Sequence, residues 1–290
     1  MVSAMEINDL FRQGSQNSGE DEKKSSPQIK RITFNSNLDS LPLVYAIQHH
    51  LMDHDYEIDT KRVQENIASF REGKAEISLL PSITYAQGVG DWKIVPEICI
   101  ASDGRSGNMA LFFKEDISRL HSVAVDSHAL TASTLLQIIL REKFESEPKL
   151  DKLDIDHQRD LSGYDAVLRV GDQALQHRQN NPHFLDLSEE WHDLTGLPFV
   201  HAFWAGHEMA LNENDVQKLI DAFTLSKNQK NQWISNYCKN NELNEERAKN
   251  HLQNDIYYTF GKNEMSGLKE FFRYAFFFGM IEHIPDLHFL

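Results

Sequence analysis

Apolar and polar residues alternate along the chain so that strands and helices are predicted in turn, starting at Lys30. Short runs with period-two alternation predict β-strands, whereas apolar residues three and four positions apart predict helices. The predicted strands are Arg31–Phe34, Tyr56–Asp59, Glu76–Leu80, Trp92–Cys99, Ala110–Phe113, Ser122–Val125, Ala166–Val170 and Phe199–Trp204.

Helices are predicted between these strands and over most of the chain after residue 210. Pro42 fits the first turn of a helix, and Thr60 can cap one that runs to about Arg71. The other predicted helices are Leu41–Met52, Ser82–Gln87, Thr131–Lys143, Gln173–His177, Asn214–Lys227, Gln229–Asn240, Asn244–Gln253 and Glu264–Phe278. This alternation indicates an α/β fold with largely parallel sheets and a mostly helical C-terminal segment.

The first 28 residues are polar and charged, which predicts a flexible tail, with a short helix at Ile7–Arg12 as the alternative. They lack the apolar central run of a signal peptide, and no stretch of about 18 apolar residues follows. We therefore expect a cytoplasmic protein that does not span a membrane.

Composition narrows the classes of partner. The chain has 290 residues, 40% of them apolar, and a formal net charge of -15. This is enough apolar material for a large core, and the negative charge without a basic stripe argues against nucleic acid. Cys99 and Cys238 are the two cysteines, and we expect them to be free thiols.

Five segments carry a resemblance to a known family. They are NLDSLPLVY at 37–45, GKAEISLLPSITYA at 73–86, SDG at 102–104 with ALFFK at 110–114, VGDQAL at 170–175, and LDLSEEWHDLTGLPFVHAFW at 185–204. The helical end EMSGLKEFF at 264–272 also fits. Together they resemble the chorismate dehydratase family of the futalosine route to menaquinone, over residues 30–281.

The resemblance implies a two-lobed, periplasmic-binding-protein-like type II fold with a ligand cleft. One lobe would contain residues 29–108 and 206–290, and the other residues 109–205. In such a fold, turns between strands and helices point backbone N–H groups into the cleft, where helix N-termini favour anions.

The resemblance also implies a reaction. The family removes water from chorismate, a small dicarboxylate, and forms 3-enolpyruvyl-benzoate. Because the ring becomes aromatic, the driving force lies in the substrate, and positioning with electrostatic stabilisation supplies much of the catalysis. No metal ion or organic cofactor is expected.

Asp39 and Asn108 are the candidate catalytic residues, and both depart from the family pattern of asparagine and serine. An ionised aspartate only accepts hydrogen bonds and repels a substrate carboxylate. Asp39 is therefore a base in an altered enzyme, a raised-pKa acid that imitates asparagine, or part of a site that has lost the reaction. The structural alternative is a cap on the helix beginning at Leu41. A one-residue slip in the alignment would put Gly107 in place of Asn108.

The candidate substrate-binding residues would hold carboxylates or orient the substrate. Asp172 has a structural alternative, as a cap of the helix Gln173–His177, and Arg105 has one as a solvent-exposed loop residue. The hydroxyl of Ser82 can serve as an ordinary N-cap. The set consists of Ser82, Arg105, Ser106, Thr131 and Asp172.

Three further features have more than one interpretation. His50 and His54 have the spacing of a metal site on one helix, but a solvated surface helix explains them as well. His201 is either an acid or base in the cleft or a buried core residue. The aromatic run at 271–278 predicts a packed helix, with partial burial in a homodimer as the alternative.

Two functions of different classes follow. The first is a chorismate dehydratase-like lyase. The second is a cytoplasmic small-carboxylate-binding protein or inactive homologue on the same fold, which the changes at Asp39 and Asn108 favour. The related naphthoate synthase of the same pathway is a third alternative that the matched segments fit less well.

Overall fold

A computed structural model of the chain describes residues 29–88, 90–155, 160–178, 181 and 183–290. The tail at 1–28 and the helix considered at Ile7–Arg12 lie outside the described residues. The strands are β1 (Arg31–Phe34), β2 (Glu57–Thr60), β3 (Ile77–Pro81), β4 (Trp92–Ser102), β5 (Met109–Phe113), β6 (Ser122–Asp126), β7 (Lys149–Leu153), β8 (Ala166–Val170), β9 (Leu185–Asp186), β10 (Phe199–His207) and β11 (Tyr257–Phe260).

The strands form two sheets. The first sheet has the order β11-β4-β10-β3-β1-β2, and the second has the order β7-β6-β8-β5-β9. We call each sheet with its flanking helices a lobe. β4 leads out of the first lobe towards β5, and β10 returns beside β4, so these two long strands run antiparallel.

Both sheets are mixed, which corrects the prediction of largely parallel sheets. β1 pairs in parallel with β2 and β3, and β6 pairs in parallel with β7 and β8. The pairings of β10 and of β5 are antiparallel, as is that of β11 with β4. β10 belongs to the first sheet from Phe199 onward. The return to the first lobe therefore lies before Phe199, not after residue 205.

The helices cover both faces of the first sheet and pack between the lobes. They are α1 (Leu41–Gln48), α2 (Val63–Arg71), α3 (Ser82–Ala86), α4 (Leu130–Phe144), α5 (Gly171–His177), α6 (Leu187–Thr195), α7 (Glu213–Asn228), α8 (Lys230–Asn240), α9 (Glu245–Asn250) and α10 (Lys262–Phe277). A 3₁₀ turn occupies Ile117–Arg119, and a π-helical turn, His251–Asp255, continues α9. None of the helices in the described ranges is long and apolar enough to cross a bilayer.

Every predicted strand is present, two of them with the predicted ends and the others with ends shifted by up to three residues. Several other predictions need correction. Thr60 ends β2, so it does not cap α2, which begins at Val63. The predicted helix Asn244–Gln253 is α9 followed by the π-helical turn. β7, β9 and β11 were not predicted, because β7 is polar, β9 is very short and β11 follows directly on a helical pattern.

One hydrophobic core extends from the first lobe into the second. It contains Leu80 and Phe203 of the first sheet, Leu111 and Leu168 of the second, and helix α10. A separate cluster on the opposite face of the first sheet lies beneath α1, α7 and α8. Because the shared core bridges the lobes, the cleft between them has a packed floor.

Three elements meet closely at the carbonyl oxygen of Pro198, just before β10. The indole N–H of the fully buried Trp191 donates to this oxygen at 3.3 Å. Gly267 of α10 lies against the same oxygen, and a Cβ atom placed there would be 2.0 Å from it. A glycine is therefore required for α10 to approach this close to the start of β10.

We predict that Gly267→Ala lowers the free energy of unfolding by about 1–3 kcal/mol, because α10 must move away from Pro198. This direction opposes the helix propensity of alanine, which favours it over glycine by about 1 kcal/mol. Chemical denaturation of the variant checks the prediction. Ser266→Ala, on the exposed side of the same helix, is the control and should change stability little. Wild-type stability of the Gly267 variant would contradict the close contact.

Candidate active site

A cavity of about 340 Å³ lies between the two lobes. The first lobe contributes residues that follow β1, the end of β3 and the middle of β10. The second lobe contributes the start of β5, the residues after β6 and the start of α5. The polar lining of the cavity, from both lobes, includes Asn35, Asn37, Asp39, Arg62, Asn108, Asp126, His128, Thr131, Asp172, Gln173 and His201.

The first turns of α1 and α4 both face this cavity. Ser40 precedes α1 and lines the cavity, and so do residues 129–132 at the start of α4. The first backbone N–H groups of a helix have no partner within the helix, and the helix dipole adds partial positive charge there. At α1 the N–H groups of Leu41 and Leu43 already donate to the backbone oxygens of Asn37 and Ser40, and Pro42 has none. The start of α4 is therefore the helix end that favours negative charge inside the cavity.

Asp39 is buried at the point where the lobes meet. Its Oδ1 accepts a hydrogen bond from Nε2 of His251 at 2.6 Å, and its Oδ2 accepts one from Nδ2 of Asn108 at 2.7 Å. The hydroxyl of Tyr258 donates to its backbone oxygen at 2.8 Å. Helix α1 begins after Ser40 without a side-chain cap, so the interpretation of Asp39 as a helix cap is wrong.

His251 connects Asp39 to a second carboxylate. It is the first residue of the π-helical turn, its side chain is 2% exposed, and its Nδ1 lies 3.3 Å from Oδ2 of Asp255. Burial alone would lower the pKa of His251, but Asp39 and Asp255 outweigh it and raise the pKa to about 9. The ring is therefore protonated at neutral pH and donates from both nitrogens.

The contact with His251 also determines the charge of Asp39. Burial would raise the pKa of Asp39, but the charge and hydrogen bond of His251, with the Asn108 amide, hold it below its ordinary value. Asp39 is thus ionised, and the interpretation as a raised-pKa acid is wrong. Because His251 neutralises it, Asp39 repels a nearby anion less than an isolated carboxylate would.

Asn108 orients its amide towards Asp39. A carboxylate only accepts, so the amide nitrogen must face Asp39 and the amide oxygen must point elsewhere. That oxygen is buried and has no hydrogen-bond partner among the described residues. Asn108 lines the cavity, whereas Gly107 does not, and the N–H of Gly107 donates to Asp186 instead. A hydrogen-bond donor on a ligand would satisfy the Asn108 oxygen.

His201 and Thr131 also line the cavity. Nε2 of His201 lies 2.9 Å from the Ser102 hydroxyl, and burial, opposed by Asp39, lowers the pKa of His201 to about 4. His201 is therefore neutral at physiological pH. The Thr131 hydroxyl accepts a hydrogen bond from the backbone N–H of Ile83 at 3.3 Å, which joins α4 to α3.

Asp172 borders the cavity but does not cap α5. Its carboxylate accepts hydrogen bonds from the backbone N–H of Leu38 and from the hydroxyl of Tyr237, and α5 starts without a side-chain cap. The capping alternative is wrong. Burial raises the pKa of Asp172, partly offset by Tyr237. Asp172 therefore joins α5 in the second lobe to the loop before α1 in the first.

Three predicted substrate-binding residues do not line this cavity. The buried hydroxyl of Ser82 donates to the backbone oxygen of Val200, and that of Ser106 lies 2.9 Å from the Ser188 hydroxyl. Both side chains have a partner within the protein and do not reach a ligand here. Arg105 lies over the ring of Phe184, in a different groove.

Several site residues were missed from the sequence. His251 lies in the predicted helix Asn244–Gln253 and Asp255 lies two residues beyond its end. The spacing of four residues between them was the available signal. His251 is 212 residues from Asp39, so no local pattern connects the two. Arg62 and His128, which also line the cavity, had no signal of their own.

The proposed metal spacing at His50 and His54 does not lie on one helix. Helix α1 ends at Gln48, and His50 has a positive φ of 51°. The two rings stack with centroids 4.9 Å apart, and Nε2 of His54 lies 3.0 Å from the backbone oxygen of Ile47. Within the described ranges, no group of three or more His, Cys, Asp or Glu residues is placed to hold a metal ion.

The ion pair makes stability depend on pH. The pKa of His251 is higher in the folded state, so its contribution is fully present below about pH 6.5 and is lost as pH rises through about 9. The pKa of Asp39 is depressed, so its contribution is present at neutral pH and is lost in acid. We predict that His251→Gln costs about 3–5 kcal/mol near pH 6.5, because a buried carboxylate loses its counter-ion.

Melting temperatures between pH 6 and 10 check this prediction. The difference between wild type and His251→Gln should shrink as the pH rises from 6.5 to above 9. His207→Gln is the control, because the ring of His207 lies 2.8 Å from the backbone oxygen of Phe70 and pairs with no carboxylate of the described ranges. A His251 difference that stays constant across this range would contradict a protonated ring.

The sequence is similar to known proteins of one family. A family model described as "Menaquinone biosynthesis" matches residues 31–276. The chorismate dehydratase of Thermus thermophilus is 30% identical over 150 residues, which cover 46% of this chain and 55% of that protein. The chorismate dehydratase of Campylobacter jejuni is 31% identical over 110 residues, which cover 37% and 48%. The matched segments thus span about half the length of these curated relatives.

Solved structures show the fold. A protein from Archaeoglobus fulgidus has a TM-score of 0.68 at 18% identity, over 87% of this chain and 98% of that one. The periplasmic aliphatic sulphonate binding protein of Escherichia coli has a TM-score of 0.63 at 16% identity, over 90% and 91%. The predicted periplasmic-binding-protein-like fold is confirmed. With the family model covering nearly all of both lobes, the chain belongs to the menaquinone biosynthesis family.

Proposed function

We propose that this protein is a chorismate dehydratase-like lyase that converts chorismate to 3-enolpyruvyl-benzoate. The observation that carries the proposal is the ionised Asp39, held between His251 and Asn108 at the wall of the cavity. The family match and the curated chorismate dehydratases support the same substrate.

The cavity offers groups that can bind a dicarboxylate, although Asp126 and Asp172 also line it and the net charge of the chain is negative. The first turn of α4 would bind one carboxylate through its backbone N–H groups. Arg62 and His128 line the same wall, and Arg62 lies 3.8 Å from Asp154, a loose ion pair at the surface. Arg62 is therefore able to turn towards a bound carboxylate.

Asp39 is the candidate base. In the proposed step the carboxylate takes the ring proton next to the carbon that bears the hydroxyl, and the C–O bond to that hydroxyl breaks. The same proton then leaves with the hydroxyl as water, so Asp39 returns to its ionised form and the ring becomes aromatic. A depressed pKa makes Asp39 a weak base, and aromatisation of the product compensates for this.

His251 is a positioning residue in this proposal. Its protonated ring fixes the Asp39 carboxylate and reduces its repulsion of the substrate carboxylates. Asn108 holds the other oxygen of Asp39, and its own unpaired oxygen is available to the substrate hydroxyl. Asp39 and Asn108 thereby replace the asparagine and serine that the resemblance implies at these positions.

The first test is turnover of chorismate by the purified protein. We expect chorismate to disappear and an aromatic product to form whose mass is smaller by one water molecule. Chromatography with mass spectrometry measures both compounds. Asp39→Ala should lower the turnover number by at least about a hundredfold, within the usual range for loss of a general base. Asp55→Ala, which removes an exposed carboxylate paired with Lys218, is the matched control and should keep wild-type turnover.

A folded wild-type protein without conversion would contradict the lyase. The alternative is a protein of the same fold that binds a small carboxylate without reaction. It is favoured by the engaged hydroxyls of Ser82 and Ser106, which leave fewer free donors for catalysis. Thermal stabilisation by chorismate without turnover would support this alternative, and stabilisation together with product would exclude it.

A further inference from the structure

A second groove, separate from the cavity, collects three arginines. It has a volume of about 680 Å³ and is lined by Arg105, Arg178 and Arg247 with Phe184. Arg105 comes from the loop between β4 and β5, Arg178 follows α5, and Arg247 lies on α9. The groove therefore lies between the lobes, at the opposite end of α5 from the cavity.

In the part of the chain that the structure describes, these arginines have no carboxylate partner. Among the described residues, no Asp or Glu lies within ion-pair distance of any of the three, and Nη1 of Arg178 is buried without a hydrogen bond. In contrast, Arg31, Arg62, Arg141 and Arg273 each pair with a carboxylate. In a chain with a net charge of -15, unpaired guanidinium groups gathered in one groove are unexpected.

The packing holds two of these groups together. The guanidinium carbons of Arg105 and Arg178 lie 5.3 and 5.7 Å from the centre of the Phe184 ring. A Cβ atom at Gly107, whose φ is 69°, would lie 1.1 Å from Nη1 of Arg178. A glycine at this position thus leaves room for the Arg178 side chain. Burial and the charge of Arg105 lower the pKa of Arg178, and Arg247 adds to this, whereas the carboxylates of Asp255 and Asp186 oppose it.

Three acidic residues lie near the groove, and two of them have hydrogen-bond partners other than the arginines. Asp186 accepts hydrogen bonds from the backbone N–H groups of residues 106, 107, 188 and 189. Asp255 lies beside His251. Glu246 lines the groove and opposes an anion there. The groove lining therefore contains three arginines and one carboxylate, that of Glu246.

We propose that this groove binds a small anion that carries more than one phosphate group. Each guanidinium presents several N–H donors in a planar fork that matches phosphate oxygens, and three of them arranged around one groove suit several charges better than one. Such an anion would relieve the repulsion among the arginines. Arg247 lies one turn before His251, so the anion would also join α9 to α5.

Calorimetric titration of the full chain with inorganic diphosphate tests the site. We expect one saturable site that weakens with added salt. Arg178→Gln and Arg247→Gln should each weaken binding about tenfold or more, because each removes charge-assisted hydrogen bonds. Glu246→Gln should tighten it. Arg247 is exposed, so its replacement should leave folding intact, and melting curves verify this.

The control is Arg141→Gln. Arg141 also lies over a ring, that of Phe278 at 5.1 Å, but it pairs with Glu147 and is outside the groove. Its loss should leave diphosphate binding unchanged. Absence of saturable binding, or wild-type affinity in both groove variants, would overturn the proposal. Citrate binding as tight as diphosphate, with the same dependence on Arg178 and Arg247, would overturn the assignment to phosphate.

Discussion

The ion pair between Asp39 and His251 is the interaction on which the site depends. Both side chains are buried where the lobes meet, and a buried charge is tolerated only with a partner and further hydrogen bonds. Asn108 and Asp255 supply those bonds, so each member of the pair has two polar contacts. Loss of either member would leave an uncompensated charge beside the ligand.

The pair also explains how the cavity tolerates a carboxylate at the position where the resemblance implies an asparagine. A carboxylate in place of an amide would ordinarily repel a dicarboxylate, but the protonated His251 offsets that charge. The charge of Asp39 is therefore connected to a residue in the C-terminal helical region. The π-helical turn that begins at His251 places the ring there, and β11, which follows it, fixes the turn against β4.

Much of the fold was accessible from the sequence, because the strands and most helices have local patterns. The strands β1 and β8 match their predictions end to end. β7 and β11 did not have such patterns, and their pairing with distant strands determines them. The chain leaves the first lobe along β4 and returns along β10, so these strands pair antiparallel. No local sequence pattern predicts this pairing.

The site was accessible only in part. The family motifs identified Asp39, Asn108, Thr131 and Asp172, and all four line the cavity. His251 was not identified, because its contact with Asp39 joins residues that are far apart in the chain. Arg105 was expected in the cleft, but it packs over the Phe184 ring in the second groove, beside Arg178 and Arg247. Tertiary contacts, and not residue type, decided these positions.

The protonation state of His251 is the most direct test of this account. An NMR titration of the histidine rings, with the His251 signal assigned by its loss in His251→Gln, measures it. We predict that His251 titrates near pH 9 and that Asp39→Asn lowers the pKa of His251, because burial then acts with less opposition. A His251 ring that titrates at or below its ordinary value in the wild-type protein would contradict the buried ion pair.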